Sequence, residues 1–348
     1  MKRMLWGRLF CVAVVGLGPA AVVRAWHGPG HDRASRLAVS VLPKETPAFF
    51  RGGADAIAHC SLDPDTFTRP IAPPELHGAE APEHYFDVEL LAGAEIPAQR
   101  YDLITWCVKK GIHPAKIGLL PYAVTEWTQR LTVALAEHRR WPGDELIRRK
   151  CLVYAGILAH YAEDLHQPLH TTIHYDGRAR KDGSSPRTGI HLKVDALLGK
   201  LPDDVEVRID PNAVQPFEKL FAAVAAELKA SHSLVDPVYG LEKQLPAAAD
   251  PLGRDGPVAA FVRERLNAAA LFTARLYRTA WRDSAKVELP QWHRRKRRPK
   301  APPGSSTRPG RAVRPIREAR RHEELSYRQT PDAGLRREER HTAPTGGS

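Results

Sequence analysis

The chain has 348 residues, 43% of them hydrophobic, which suits one large packed domain or two small ones. Its formal charge of +12 is concentrated at the ends. Residues 291–348 hold 16 Lys/Arg against 6 Asp/Glu, and residues 1–25 hold 4 Lys/Arg and no acid, so the body between is near neutral. Four cysteines exclude a disulfide scaffold; beyond Cys11, Cys60, Cys107 and Cys151 leave room for one bridge and one thiol.

The chain opens like a secretory signal. Lys2, Arg3 and Arg8 precede an apolar run from Leu9 to Val23, and Val23-Arg24-Ala25 offers small or apolar side chains where signal peptidase reads. The run is short for a membrane span, and Gly16, Gly18 and Pro19 interrupt it. Cleavage after Ala25 and export to a periplasmic or extracellular location are therefore expected. No later segment is apolar enough to span.

The body reads as helical. Ala34–Val41, Ala123–Glu137, Asp144–Ala162, Gln215–Ala230 and Pro257–Ser284 repeat apolar residues at helical spacing. Pro168 should end the third of these, because it lacks an N–H and restricts the residue before it. Residues 66–82 and 174–190, rich in Pro, Gly and charge, read as loops. With no sustained alternation, the expected fold class is all-α, a single multi-helix domain over residues 26–290. After Pro290 a dense basic run and a Pro, Gly, Arg and Glu-rich stretch predict a disordered tail, residues 291–348. Such a tail could hold a polyanion through phosphate contacts, or be a solvated tail without a specific partner.

The sharpest chemical signal lies in residues 160–170. His160 and Asp164 are four apart on a helix and project from one face. His170 follows the Pro168 break, where the chain can turn it back toward the same place. His191 and Asp195 repeat the four-residue spacing. Alone, one such pair is more often a surface hydrogen bond. Two pairs with a histidine between them supply nitrogen and oxygen ligands suited to zinc.

These residues, with others in the same order, resemble the superfamily that joins bacterial zinc-dependent phospholipases C with fungal and plant single-strand-specific nucleases. Trp26 would become the mature N-terminus, His31 follows five residues later, Asp65 sits in Asp63-Pro64-Asp65 ahead of Arg69, and His84 opens His84-Tyr85-Phe86-Asp87. The resemblance runs from Trp26 to about Leu198. It implies an all-helical fold and three zinc ions. One would be held by Asp65, His84, His160 and Asp164, and a second by His170, His191 and Asp195. The third would take the amino nitrogen and carbonyl oxygen of Trp26, His31, and Asp164 as a bridge. Asp65 and Asp164 are the candidate catalytic residues, with Asp63 competing for the place of Asp65. Three Zn²⁺ less three aspartates and a hydroxide leave roughly +2, a charge suited to an anionic phosphate ester. Zinc lowers the pKa of bound water to about 7, giving a nucleophile for in-line attack on phosphorus at neutral pH.

Spacing favours the nucleases over the lipases. The five-residue step from Trp26 to His31, the 21-residue step from His170 to His191, and Asp195 in place of Glu all point that way. The expected activity is therefore a nuclease or 3′-nucleotidase on single-stranded nucleic acid. A phospholipase C acting on phospholipid, and a non-catalytic zinc-stabilised polyanion-binding protein, stand as alternatives. No obligate protein partner is evident. Asp87 is a candidate acceptor for the His84 imidazole, with a surface acid as the alternative; His113, His166 and His174 are weaker ligand candidates.

Overall fold

A computed structural model describes residues 28–205, 207–247, 250–290 and 293. The expected signal, Trp26 and the basic tail, His293 apart, lie outside the described residues. α1 (Gly28–Ser40) is followed by the short helices α2 (Ala48–Arg51), α3 (Ala54–Cys60), α4 (Asp63–Phe67) and α5 (Pro74–Glu80). α6 (Arg100–Lys109) and α7 (Pro114–Ile117) lead into the long pair α8 (Leu120–Arg140) and α9 (Glu145–Asp164). α10 (Ile190–Asp195), α11 (Leu197–Lys200), α12 (Leu220–His232) and α13 (Val235–Leu241) precede the longest helix, α14 (Pro257–Asp283). The described residues are mostly helical, as expected, and contain no strand, only the isolated bridges of Phe86 with Gly118 and Tyr175 with Gly177.

α8 and α9 make a helical hairpin across residues 141–144. Asp144 sets the entry to α9: its carboxylate accepts from the N–H groups of Leu146 at 2.9 Å and Ile147 at 3.3 Å, two donors the helix cannot satisfy itself. α14 packs on this hairpin and on α1. Leu131 and Leu135 of α8, Ile147 and Leu158 of α9, and Leu276 and Tyr277 of α14 meet in the main core. Each fully buried aliphatic side chain there contributes about 1.5–3 kcal/mol. A second cluster joins Leu169, Ile190, Val194, Leu197 and Leu198 to Val258, Val262 and Leu266, anchoring α10 and α11 on the first half of α14.

Two glycines set close approaches that matter for the site. Gly156 lies one turn before His160 on the same face of α9. A Cβ there would stand 2.5 Å from the Cβ of Cys60 and 2.6 Å from the Ile57 carbonyl oxygen, so glycine is what lets α3 lie against α9. Gly118 has φ +90°, and a Cβ would fall 2.0 Å from the Tyr85 carbonyl oxygen. Its closeness lets the Asp87 N–H donate to the Ile117 carbonyl at 2.7 Å, while Phe86 N–H donates to the His170 carbonyl at 2.8 Å. The His84 turn is thereby tied to the His170 turn.

The elements differ from expectation in three places. Residues 66–82, read as a loop, contain α5, because Pro74 occupies a first-turn position where its missing N–H removes nothing and its φ is already helical. The helix expected from Gln215 starts at Leu220. The Gln215 carbonyl instead accepts from Arg275 at 3.0 Å, and Phe217 N–H donates to Thr279 Oγ1 at 2.9 Å, fixing an extended lead-in on α14. Cys60, Cys107 and Cys151 are all free thiols, so the bridge the sequence left room for does not form among them. No helix of the described residues is long and apolar enough to cross a membrane.

Candidate metal centre

α9 ends at Asp164 and the chain turns through a 3-10 segment, Pro168–Thr171, whose first N–H, that of Leu169, donates to the Gln167 side chain at 2.6 Å. This break carries His170 back toward the end of α9. α10 starts at Ile190, just after Gly189, whose N–H donates to Asp176 Oδ1 at 2.7 Å, and this start sets His191 and Asp195 along one face. His31 comes from α1, Asp65 from α4, and His84 from the turn Ala81–His84.

All eight described residues of the expected ligand set are buried, and they fall into three groups. His31, His160 and Asp164 form one; Asp65, His84 and His160 a second; His170, His191 and Asp195 a third. Within each group the ligand atoms lie within 4.8 Å of one another. Trp26, expected beside His31, is outside the described residues.

Asp164 is the hub. Its Oδ2 is 3.0 Å from His84 Nδ1 and 3.2 Å from His160 Nε2, and its Oδ1 is 3.6 Å from both His31 Nε2 and His170 Nδ1. The two oxygens of one carboxylate thus face two sets of imidazoles. His170 Nε2 in turn lies 3.7 Å from Asp195 Oδ1, so the third group adjoins the other two. Asp65 rather than Asp63 belongs to a group, and it holds Arg69 at 3.5 Å.

The surrounding groups fix ring orientations. His160 Nδ1 faces the Ser61 carbonyl at 2.8 Å, which follows from the close approach at Gly156. His191 Nδ1 faces the Tyr175 carbonyl at 3.2 Å. Gln167 donates through Nε2 to Asp195 Oδ1 at 2.6 Å. His31 Nδ1 lies 2.7 Å from Glu163 Oε2, while Ser35 Oγ donates to Glu163 Oε1 at 2.8 Å. Glu163, absent from the sequence expectations, had a signal: it is a second acid, directly before Asp164, closing a run from Ala155 to Ala162 that is apolar apart from His160.

Burial and charge oppose each other here. Burial pushes the Asp164 carboxyl up, but the imidazoles of His160 and His170, with hydrogen bonds from His160 and His84, outweigh it and hold Asp164 well below the carboxylate range. Burial works to lower His160, yet the charge and hydrogen bond of Asp164 raise it to about 8. His191 is likewise raised, Asp195 outweighing burial. His170 is lowered because burial outweighs Asp164 and Asp195. Burial drives His31 well down, helped by His160, and drives Glu163 well up against the Ser35 hydrogen bond.

Other candidates are placed elsewhere. Asp87 does not orient His84, whose Nδ1 faces Asp164; Asp87 lies near Glu89 and Lys116. His166 is a core residue, 2.7 Å from the Ala162 carbonyl and 3.1 Å from Glu227. His113 caps α7, accepting from Ala115 N–H at 3.2 Å. His174 accepts from Ala179 N–H at 2.9 Å in the turn before His191.

Metal ligation fits this arrangement on two grounds. Buried His31 Nε2, His84 Nε2, Asp164 Oδ1, both ring nitrogens of His170, and Asp195 Oδ2 have no hydrogen-bond partner among the described residues, and every group contains at least one of them. Each group also combines two imidazoles with a carboxylate, a donor set borderline metals accept. No protein-family model matches the chain, and no curated protein matches it.

Proposed function

We propose that the chain is an exported zinc-dependent hydrolase of phosphate esters, acting on single-stranded nucleic acid as a nuclease or 3′-nucleotidase. The observation that carries this reading is the convergence of three buried His/Asp groups on Asp164. His160 stands in two of them, but its Nδ1 is engaged by Ser61, leaving only Nε2 for an ion. Its 3.2 Å approach to Asp164 Oδ2, which His84 also faces, assigns it to the group of Asp65 and His84. The neighbouring position would then fall to His31 and Asp164 Oδ1, with the terminal amine and carbonyl of Trp26 expected to complete it. His170, His191 and Asp195 would hold the remaining ion.

When bound, zinc supplies Lewis acidity and a nucleophile from water at neutral pH. The chain's own groups do the rest. Asp164 stays ionised and keeps two positions at a fixed spacing. The Ser61 and Tyr175 carbonyls hold the protons of His160 and His191 on Nδ1, leaving Nε2 for ligation. Gln167 pins one oxygen of Asp195 and leaves the other. Arg69 sets a half-buried guanidinium beside Asp65, suited to a phosphate oxygen. The choice of nucleic acid rests on the ligand spacing and on Asp195.

Purified mature protein, assayed on single-stranded DNA, RNA and phosphatidylcholine with and without chelator, tests the reading. Hydrolysis of the nucleic acids, abolished by chelator and restored by zinc, is expected. Cleavage of phosphatidylcholine alone would make the chain a phospholipase C. Zinc bound without activity on any of the three would make it a zinc-stabilised binding protein.

A further inference from the structure

We propose that Glu163 is a positioning residue that prepares His31 to take a metal ion through Nε2. The proposal rests on the zinc reading above but concerns a side chain outside the ligand set. Glu163 neighbours Asp164 at the end of α9 and has no exposed surface. It reaches across to α1, where His31 and Ser35, four residues apart on one face, grip its two oxygens at 2.7 and 2.8 Å. An imidazole offers a lone pair at one nitrogen while the other keeps the proton. A carboxylate accepting Nδ1–H holds the proton there, fixes the ring plane, and makes Nε2 a stronger donor. Nε2 is the atom that faces Asp164 Oδ1 and has no hydrogen-bond partner among the described residues.

His31 has most need of such support. Its group shares His160 with the adjoining group, and Asp164 also faces His84 of that group, so an ion there would depend on the strength of the His31 contact. His160 and His191 are oriented by backbone carbonyls, whereas His31 is oriented by a carboxylate. A purely structural tie between α1 and α9 would not call for an acid, because a buried carboxylate is costly to desolvate.

The test compares the full chain, produced by export, with Glu163→Ala, Glu163→Gln and Ser35→Ala. Each is dialysed against zinc at fixed free concentrations, zinc per chain is counted by elemental mass spectrometry, and thermal midpoints are recorded in parallel. The wild type should bind three equivalents. Glu163→Ala should lose one and keep two. Glu163→Gln keeps an acceptor but not the charge, and should bind that one ion about 10–100-fold more weakly. Ser35→Ala should melt earlier yet keep all three. Glu163→Gln with wild-type affinity for all three ions overturns the proposal, whatever its midpoint, and decides the matter if the alanine variant fails to fold. Equal zinc loss in Ser35→Ala and the Glu163 variants would mark a structural tie and also overturn it. A wild type holding fewer than three equivalents refutes the metal reading itself, before any variant is compared.

Discussion

Asp164 is a buried carboxyl group and Asp87 a half-buried one, and their neighbours drive them in opposite directions. Asp164 is surrounded by four imidazoles and stays ionised. Its replacement by alanine is expected to remove at least two of the three zinc equivalents, because each of its oxygens faces a different set; unchanged metal content in Asp164→Ala would refute the bridging role. Asp87 has no such company. Burial, with Glu89 adding, pushes it up to about 8 against the pull of Lys116. The folded state therefore holds this proton more tightly than the unfolded chain, whose value is near 3.8. Stability from that proton is present in acid and is lost as pH rises toward 8. Asp87→Asn should accordingly gain on the wild type between pH 5 and pH 8 in urea unfolding, and a difference that shrinks over this range would contradict the assignment.

Among the elements, α9 contributes most to the site. Gly156, His160 and Asp164 recur every four residues, so one face supplies a close approach and two candidate ligands. Gly156→Ala should force α3 outward, at about 1–3 kcal/mol for an overpacked contact. It should also weaken the Ser61 bond to His160; a variant with undiminished stability and zinc content would count against this coupling. This face also shows what the sequence could and could not reveal. Helical spacing puts His160 with Asp164, and His191 with Asp195, by periodicity alone. Periodicity does not say what stands opposite a face: the partner of His31 is 132 residues away, and Ser61 contributes a carbonyl that no side-chain motif encodes. The long helices were legible because each has an apolar stripe over several turns. α5 was not, because Pro73-Pro74 punctuates a loop and starts a helix with the same residues. His166 was ambiguous for a similar reason. Glu227, on α12, stands 3.1 Å from its Nε2 and marks it as a packed core residue, and Glu227→Gln should cost about 1–3 kcal/mol in thermal or urea unfolding without changing zinc content.

At the scale of the whole molecule, the eight described candidate ligands come from six segments between α1 and α10. Bound ions would clamp segments that the unfolded chain leaves apart, so metal removal should be read in stability as well as activity. A ligand at 100 times its dissociation constant stabilises by about 2.7 kcal/mol, so excess chelator should lower the thermal midpoint by several degrees. An unmoved midpoint would argue that the cluster forms without ions. A tag left ahead of Trp26 should cost zinc at the His31 position, and full occupancy in that form would argue against the amine ligand. The segment from His170 to His191 has a further consequence. Arg180 and Lys181 lie exposed at its tip, but both its flanks are fastened, Asp176 to Gly189 on one side and Tyr175 to His191 on the other. A trypsin-like protease should nick the chain there, yielding two fragments on a denaturing gel that still travel together, zinc included, through a native sizing column.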